Sequence, residues 1–137
     1  MPPCSHVSPD EIRSRFANAM SAMYRQEVPS YGTLLDLVKE VNQQTVDADP
    51  VLKMRLNSDH TYARLDVERH GAIRLGTPRE LETCRKVFAV MGMFPVGYYD
   101  LSVAGIPVHS TAFRPLDDAA LSRNPFRIFT SLLRPEL

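Results

Sequence analysis

Only two cysteines, Cys4 and Cys84, occur in the 137 residues, too few for a disulfide framework or a thiolate metal cluster. A basic run is missing as well. Sixteen basic and sixteen acidic residues cancel to a net charge of +0, so the chain lacks the electrostatic footprint of a nucleic-acid binder. No apolar stretch approaches the roughly 18 residues of a membrane span, and residues 1–8 lack the basic and apolar regions of a signal peptide. The glycines are scattered, without a phosphate-binding loop. These absences lead to the expectation of a cytoplasmic protein with free thiols and neither nucleic acid nor membrane as partner.

What is present is enough for one folded domain: 44% hydrophobic and 23% charged residues are ordinary for a protein with a sizeable core. Arginine outnumbers lysine thirteen to three. The skew suits fixed, forked grips on carboxylates, but genomic base composition produces the same bias, so it decides little.

Ser8-Pro9-Asp10-Glu11 combines a hydroxyl cap, a proline at the first helical position and a glutamate spaced for a capping box. It predicts a helix that ends before Pro29, with Ile12, Phe16, Ala19, Met20 and Met23 as its apolar side. Met20 and Met23 read as core filler. A second helix is expected over 33–44, burying Leu34, Leu35, Val38 and Val41. Residues 45–60 read as a connector with a short helical turn at 51–56. Thr77-Pro78-Arg79-Glu80 repeats the capping signal and opens a helix to about residue 91, with Leu81, Val87, Phe88 and Met91 as its stripe. Three more extended segments are predicted at 94–102, 108–114 and 126–133, with a short helix at 117–122 before the last. The division is a helical segment at 1–60 and a sheet module at 61–137.

Between the connector and the Thr77 cap lies a strand predicted over 65–76. Side chains alternate with period two, so Asp66, Glu68, His70 and Arg74 would share one face, and Val67, Ile73 and Leu75 the other. The Cα atoms of His70 and Arg74 would be about 13 Å apart. That leaves room for a metal and a small anion between an imidazole and a guanidinium. An exposed sheet face carrying an ionic ladder would leave the same pattern, so spacing alone keeps both readings open. One helix on one face of such a sheet leaves the other face for a ligand, another module or a partner chain.

The strand-helix-strand-strand-strand order resembles one module of the vicinal oxygen chelate fold, giving an α+β class: N-terminal helices followed by a βαβββ module. The runs from Tyr62 to Gly76, from Met91 to Leu101 and from Pro107 to Pro115 are together similar to signature segments of the 2-oxoadipate dioxygenase/decarboxylase family. The resemblance implies a non-haem iron(II) enzyme of bacterial lysine breakdown that converts 2-oxoadipate and O2 to 2-hydroxyglutarate and CO2. It implies a metal site of two histidines and a carboxylate, the arrangement that keeps positions open for substrate and oxygen. His70 matches the first histidine ligand and a substrate contact. Arg74 matches a substrate-binding arginine suited to a carboxylate. No catalytic residue beyond the metal site is implied.

The family's second histidine and its carboxylate have no counterpart in this sequence. The expectation is therefore an N-terminal portion, inactive alone, whose partner is a missing C-terminal portion. Alternatively, two copies would combine a site from His109 and Glu136. His109 otherwise reads as a packed or supporting histidine, and His6 and His60 as loop residues. Ser110 beside His109 is no hydrolase dyad, because adjacent strand residues point to opposite faces. Arg64, Arg69 and Arg114 are further candidates for a carboxylate contact. A non-catalytic module holding a small anion or metal in the same cup is the alternative function.

Overall fold

Proline opens four helices in the computed structural model, which describes residues 6–137. These are α1 (Pro9–Glu27), α2 (Pro29–Ala48), α3 (Pro50–Ser58) and α4 (Pro78–Val90). At the first helical position proline gives up no helical hydrogen bond, and its fixed φ is already helical. Three of the four carry a side-chain cap. Ser8 Oγ accepts from the Glu11 amide at 3.2 Å. Asp49 Oδ1 accepts from the Val51 and Leu52 amides, both at 3.0 Å. Thr77 closes a reciprocal box with Glu80. Thr77→Ala is expected to cost about 1 kcal/mol, read as a lower urea midpoint. An unchanged midpoint would show that the box is dispensable.

The helical segment departs from expectation in two ways. Residues 45–60 are almost wholly helical, because α2 runs on to Ala48 and the Asp49-Pro50 cap starts α3 at once. The apolar stripe expected to be buried on α2 is exposed: Leu34, Val38 and Val41 are 54%, 44% and 50% accessible. An apolar stripe marks the face that gains from a partner, and among the described residues no partner covers it. Ala19 and Met23 on α1 and Val87 on α4 also face solvent rather than the core. Met20 and Phe88 are buried as expected. Cys4 lies outside the described residues. Cys84 is a free, half-buried thiol whose pKa is raised by burial.

Two compact units form. One comprises Ala19–Glu68, and the other joins residues up to Asn18 to Arg69–Leu137. The first half of α1 lies in the same unit as the sheet. The sheet has four strands, β1 (His70–Leu75), β2 (Phe94–Asp100), β3 (Val108–Arg114) and β4 (Arg127–Leu133), in spatial order β1-β4-β3-β2. β1 runs parallel to β4, and the other pairings are antiparallel, with a bulge between Pro95 and Gly97. A short helix α5 (Asp118–Arg123) precedes β4. The expected α+β class, helices followed by a βαβββ order, is the one observed.

One face of the sheet carries the core. Phe113 meets Phe88 of α4 edge-on at 5.0 Å, and Phe126 meets Phe16 of α1 at 6.2 Å. Met93 and Ile128 are fully buried in the same unit. The core also contains a charge, since Arg13 is 0% exposed. Its guanidinium donates to the carbonyls of Asn124, Met91 and Ala120 at 3.1, 2.8 and 2.9 Å, and to Asp10 Oδ1 at 2.8 Å. Asp10 in turn accepts from Arg123 at 2.7 Å. A buried charge is tolerated when its donors all find partners. Arg13 thereby ties the first helix to the end of α4, to the middle of α5 and to the residue that caps its C-terminus.

Candidate functional site

β1 alternates as its sequence predicts: Gly71 and Leu75 are buried, whereas His70, Ala72 and Arg74 are exposed. The expected pairing of His70 and Arg74 on one face is thus present. The strand is shorter than predicted, however. Tyr62–Arg64 forms a 3-10 turn, Leu65 and Val67 donate back to Tyr62 and Arg64, and strand pairing begins only at His70 opposite Arg127. Asp66 and Glu68 therefore do not extend the His70 face. They belong to the helical unit, where the Tyr31 hydroxyl donates to the Glu68 carboxylate. Burial, and secondarily that carboxylate, push the Tyr31 pKa up to about 12.

Cross-strand register shows what surrounds His70 and Arg74. Residues paired across a sheet point to the same side. Arg74 pairs with Ser131, Ser131 with Ser110, and Ser110 with Tyr99. Ala72 pairs with Phe129, which pairs with Ala112 and so with Gly97. His70 pairs with Arg127, and the ladder beyond Phe113–Ile128 places Arg114 next along that row. The open face is thus built from four strands, three of them distant from β1 in sequence. Arg74, Ser131 and Ala72 line a shallow cavity of about 350 Å³. The Ser110 and Ser131 hydroxyls lie 3.5 Å apart beside it.

Arg114 is the one additional arginine candidate that reaches this face. Arg64 belongs to the helical unit, and Arg69 immediately precedes β1, its carbonyl accepting from the Arg127 amide at 3.0 Å. Arg127 and Ser131 escaped the sequence reading as binding residues. Parity on β4 separates its two faces but does not tell which residue of β1 stands opposite. β4's own alternation puts Arg127, Phe129 and Ser131 together on one face.

His109 sits on the other parity, paired with Leu132 as Leu75 is. Its ring lies between Asp100, 3.5 Å from Nε2, and Arg134, 2.9 Å from Nδ1, while Glu136 is bound to Arg134. His109 and Glu136 therefore do not complete a site around His70 of the same chain, since His109 faces the opposite side of the sheet. It is a packed histidine. Ser110 and His109 diverge as expected. Among the described residues, no three His, Cys, Asp or Glu side chains come together in a way that could hold a metal ion. Nor is any described helix long and apolar enough to cross a membrane.

Comparisons with known proteins identify the family of the chain. The 2-oxoadipate dioxygenase/decarboxylase family model matches residues 16–137. A protein of that name from Escherichia coli (strain K12) is 63% identical over 131 residues, 96% of this chain and 29% of the relative. Another from Pseudomonas putida is 60% identical over 137 residues, 100% of this chain and 30% of the relative. The crystal structure of the Pseudomonas putida hydroxyglutarate synthase in complex with 2-oxoadipate superposes with a TM-score of 0.88 at 61% identity, over 96% of this chain and 29% of that one. This chain therefore spans about three tenths of the length of the proteins it matches, and it belongs to the 2-oxoadipate dioxygenase/decarboxylase family.

Proposed function

We propose that this chain is the substrate-gripping portion of an iron(II)-dependent enzyme that converts 2-oxoadipate and O2 to 2-hydroxyglutarate and CO2 in lysine breakdown. The observation that carries the reading is the pair His70 and Arg74, both exposed on one open sheet face, in a chain 60% identical over 137 residues to the Pseudomonas putida relative. In this reading Arg74 donates parallel N–H bonds to one substrate carboxylate. Ser131, opposite it in the ladder, adds a hydroxyl donor. Ala72 leaves space for the carbon chain between His70 and Arg74.

His70 would supply one imidazole to iron(II). The described residues bring no second histidine and no carboxylate to its face, so they do not fit a three-ligand site by themselves. One imidazole and water hold iron(II) weakly. Our reading is that the remaining ligands come from polypeptide outside these 137 residues, and that the chain alone does not turn over. The βαβββ order with one uncovered face fits a vicinal oxygen chelate-like half-cup. The scarcity of cysteine fits a cytoplasmic setting.

A second reading, a non-catalytic small-anion-binding module, is favoured by the same absence of a three-ligand set. Oxygen consumption separates the two. The anaerobically purified chain, supplied with iron(II), is expected to show no uptake dependent on 2-oxoadipate. With the rest of the Pseudomonas putida relative added in trans, uptake with formation of 2-hydroxyglutarate is expected. Full turnover by the short chain would overturn the incomplete-site argument, whereas no uptake after complementation would favour the binding module.

A further inference from the structure

The open face holds more positive charge than one arginine and one histidine. Its paired positions include Arg127 beside His70, Arg114 beside Arg127, and Arg74 two rows away. Among the described residues, no carboxylate occupies the paired positions of that face. In a chain of net charge +0, this is a marked segregation of one sign. Like charges on neighbouring strands are unfavourable. Arg114 spends one donor on the Pro115 carbonyl at 2.7 Å, whereas the Arg127 guanidinium has no hydrogen-bond or ion-pair partner among the described residues.

The two guanidiniums are also housed. Arg114 and Arg127 line a cavity of about 240 Å³ whose other walls include Tyr99, Phe129, Val96 and Ala112. Tyr99 and Phe129 stand 6.2 Å apart, centroid to centroid. Gly97 lets Tyr99 take that position: a Cβ there would lie 3.0 Å from the Tyr99 hydroxyl oxygen. Apolar walls around a few convergent polar groups are the usual make-up of a small-ligand site. They also lower the local dielectric and so strengthen the attraction between guanidinium and carboxylate.

We propose that Arg114 and Arg127 form a second anion subsite, so that the site takes a dicarboxylate by both ends, one at this pair and the other at Arg74. The Cα atoms of Arg127 and His70 are neighbours on strands about 4.8 Å apart, whereas Arg74 lies about 13 Å along β1. The pair therefore serves the His70 end of the ligand, and Phe129 stands between the two grips. Arg114 and Arg127 act as specificity-determining residues. The subsite rests on the reading of His70 and Arg74 given above and deepens it.

The test is binding, which needs no turnover. The 137-residue chain is titrated with 2-oxoadipate and with 2-oxohexanoate, which lacks the distal carboxylate, while arginine Nε–Hε NMR signals are followed. 2-Oxoadipate is expected to bind at least tenfold more tightly and to shift the signals of Arg74 and Arg127 together. Arg127→Gln and Arg114→Gln are each expected to weaken binding of both acids alike, by about tenfold, because both acids present their 2-oxo carboxylate at the His70 end. Arg74→Gln is expected to erase the preference, and none of the three should move the melting midpoint. An Arg127→Gln variant within twofold of the parent for both acids would overturn the subsite, and a parent that does not distinguish the two acids would overturn the two-ended grip. If Arg74→Gln still weakens 2-oxoadipate in that case, only the subsite fails; if Arg74→Gln is also silent, the functional reading fails with it.

Discussion

Replacing Arg13 with methionine is expected to destabilise the chain by about 3–5 kcal/mol, the range for breaking a buried charge network by removing one partner. Methionine is similar in length and fits the apolar surroundings, but it supplies none of the donors. Three carbonyls, of Met91, Ala120 and Asn124, would lose their guanidinium donor at once, although that of Ala120 keeps the Asn124 amide at 3.0 Å. Each buried acceptor left without a partner costs about 1–3 kcal/mol. The loss is a large share of the roughly 5–15 kcal/mol that holds a typical domain together. Urea unfolding monitored by tyrosine fluorescence would measure it. A change below about 1 kcal/mol would mean that the network is ornamental. Arg13→Lys should fall between parent and methionine variant, since an ammonium keeps the charge but cannot reach acceptors spread across a planar fork.

The same network gives the acid limb of stability a sign. Arg123, and after it Arg13, hold the Asp10 carboxyl below its ordinary value of 3.8. A depressed folded-state pKa contributes stability that is present above the unfolded value and is lost as pH falls through the folded one. Stability from this group should therefore decline below about pH 3.8.

Arg13 also marks the limit of what the sequence makes legible. A helical wheel assigns arginine to the solvent side, and only the end of α4 and the middle and cap of α5, 78 to 111 residues later, offer it carbonyls. Local chemistry was readable. Ser8, Thr77 and the prolines after them located two helix starts, and the strand at 108–114 coincides with β3. The parity of His70 and Arg74 was readable too, because it depends on one strand. Asp66 and Glu68 were misplaced because alternation continues on paper through a segment whose backbone bonds into turns. Leu34, Val38 and Val41 were assigned to a core because an apolar stripe records a need for cover and not its source. Arg127 required the β1–β4 register, which pairs it with His70 across nearly sixty residues and which no local pattern encodes.

The second large effect concerns His70, where structure and function are expected to separate cleanly. His70 is exposed and opens β1, and among the described residues its imidazole has no partner. His70→Ala in the 137-residue chain should therefore leave the melting curve within about 0.5 kcal/mol of the parent, as for surface changes away from caps and cores. In the complemented assembly the same substitution should reduce 2-oxoadipate-dependent oxygen uptake by more than about 100-fold. Loss of a residue that merely orients a metal ligand already costs 10–100-fold, and a ligand should cost more. A structural role for His70 would couple the two readouts, with activity falling as the fold melts. An exposed histidine with no role would leave both unchanged. Only an intact fold with activity abolished fits an imidazole whose work is done on a group outside the protein, and retained uptake in the assembled variant would remove His70 from the metal site.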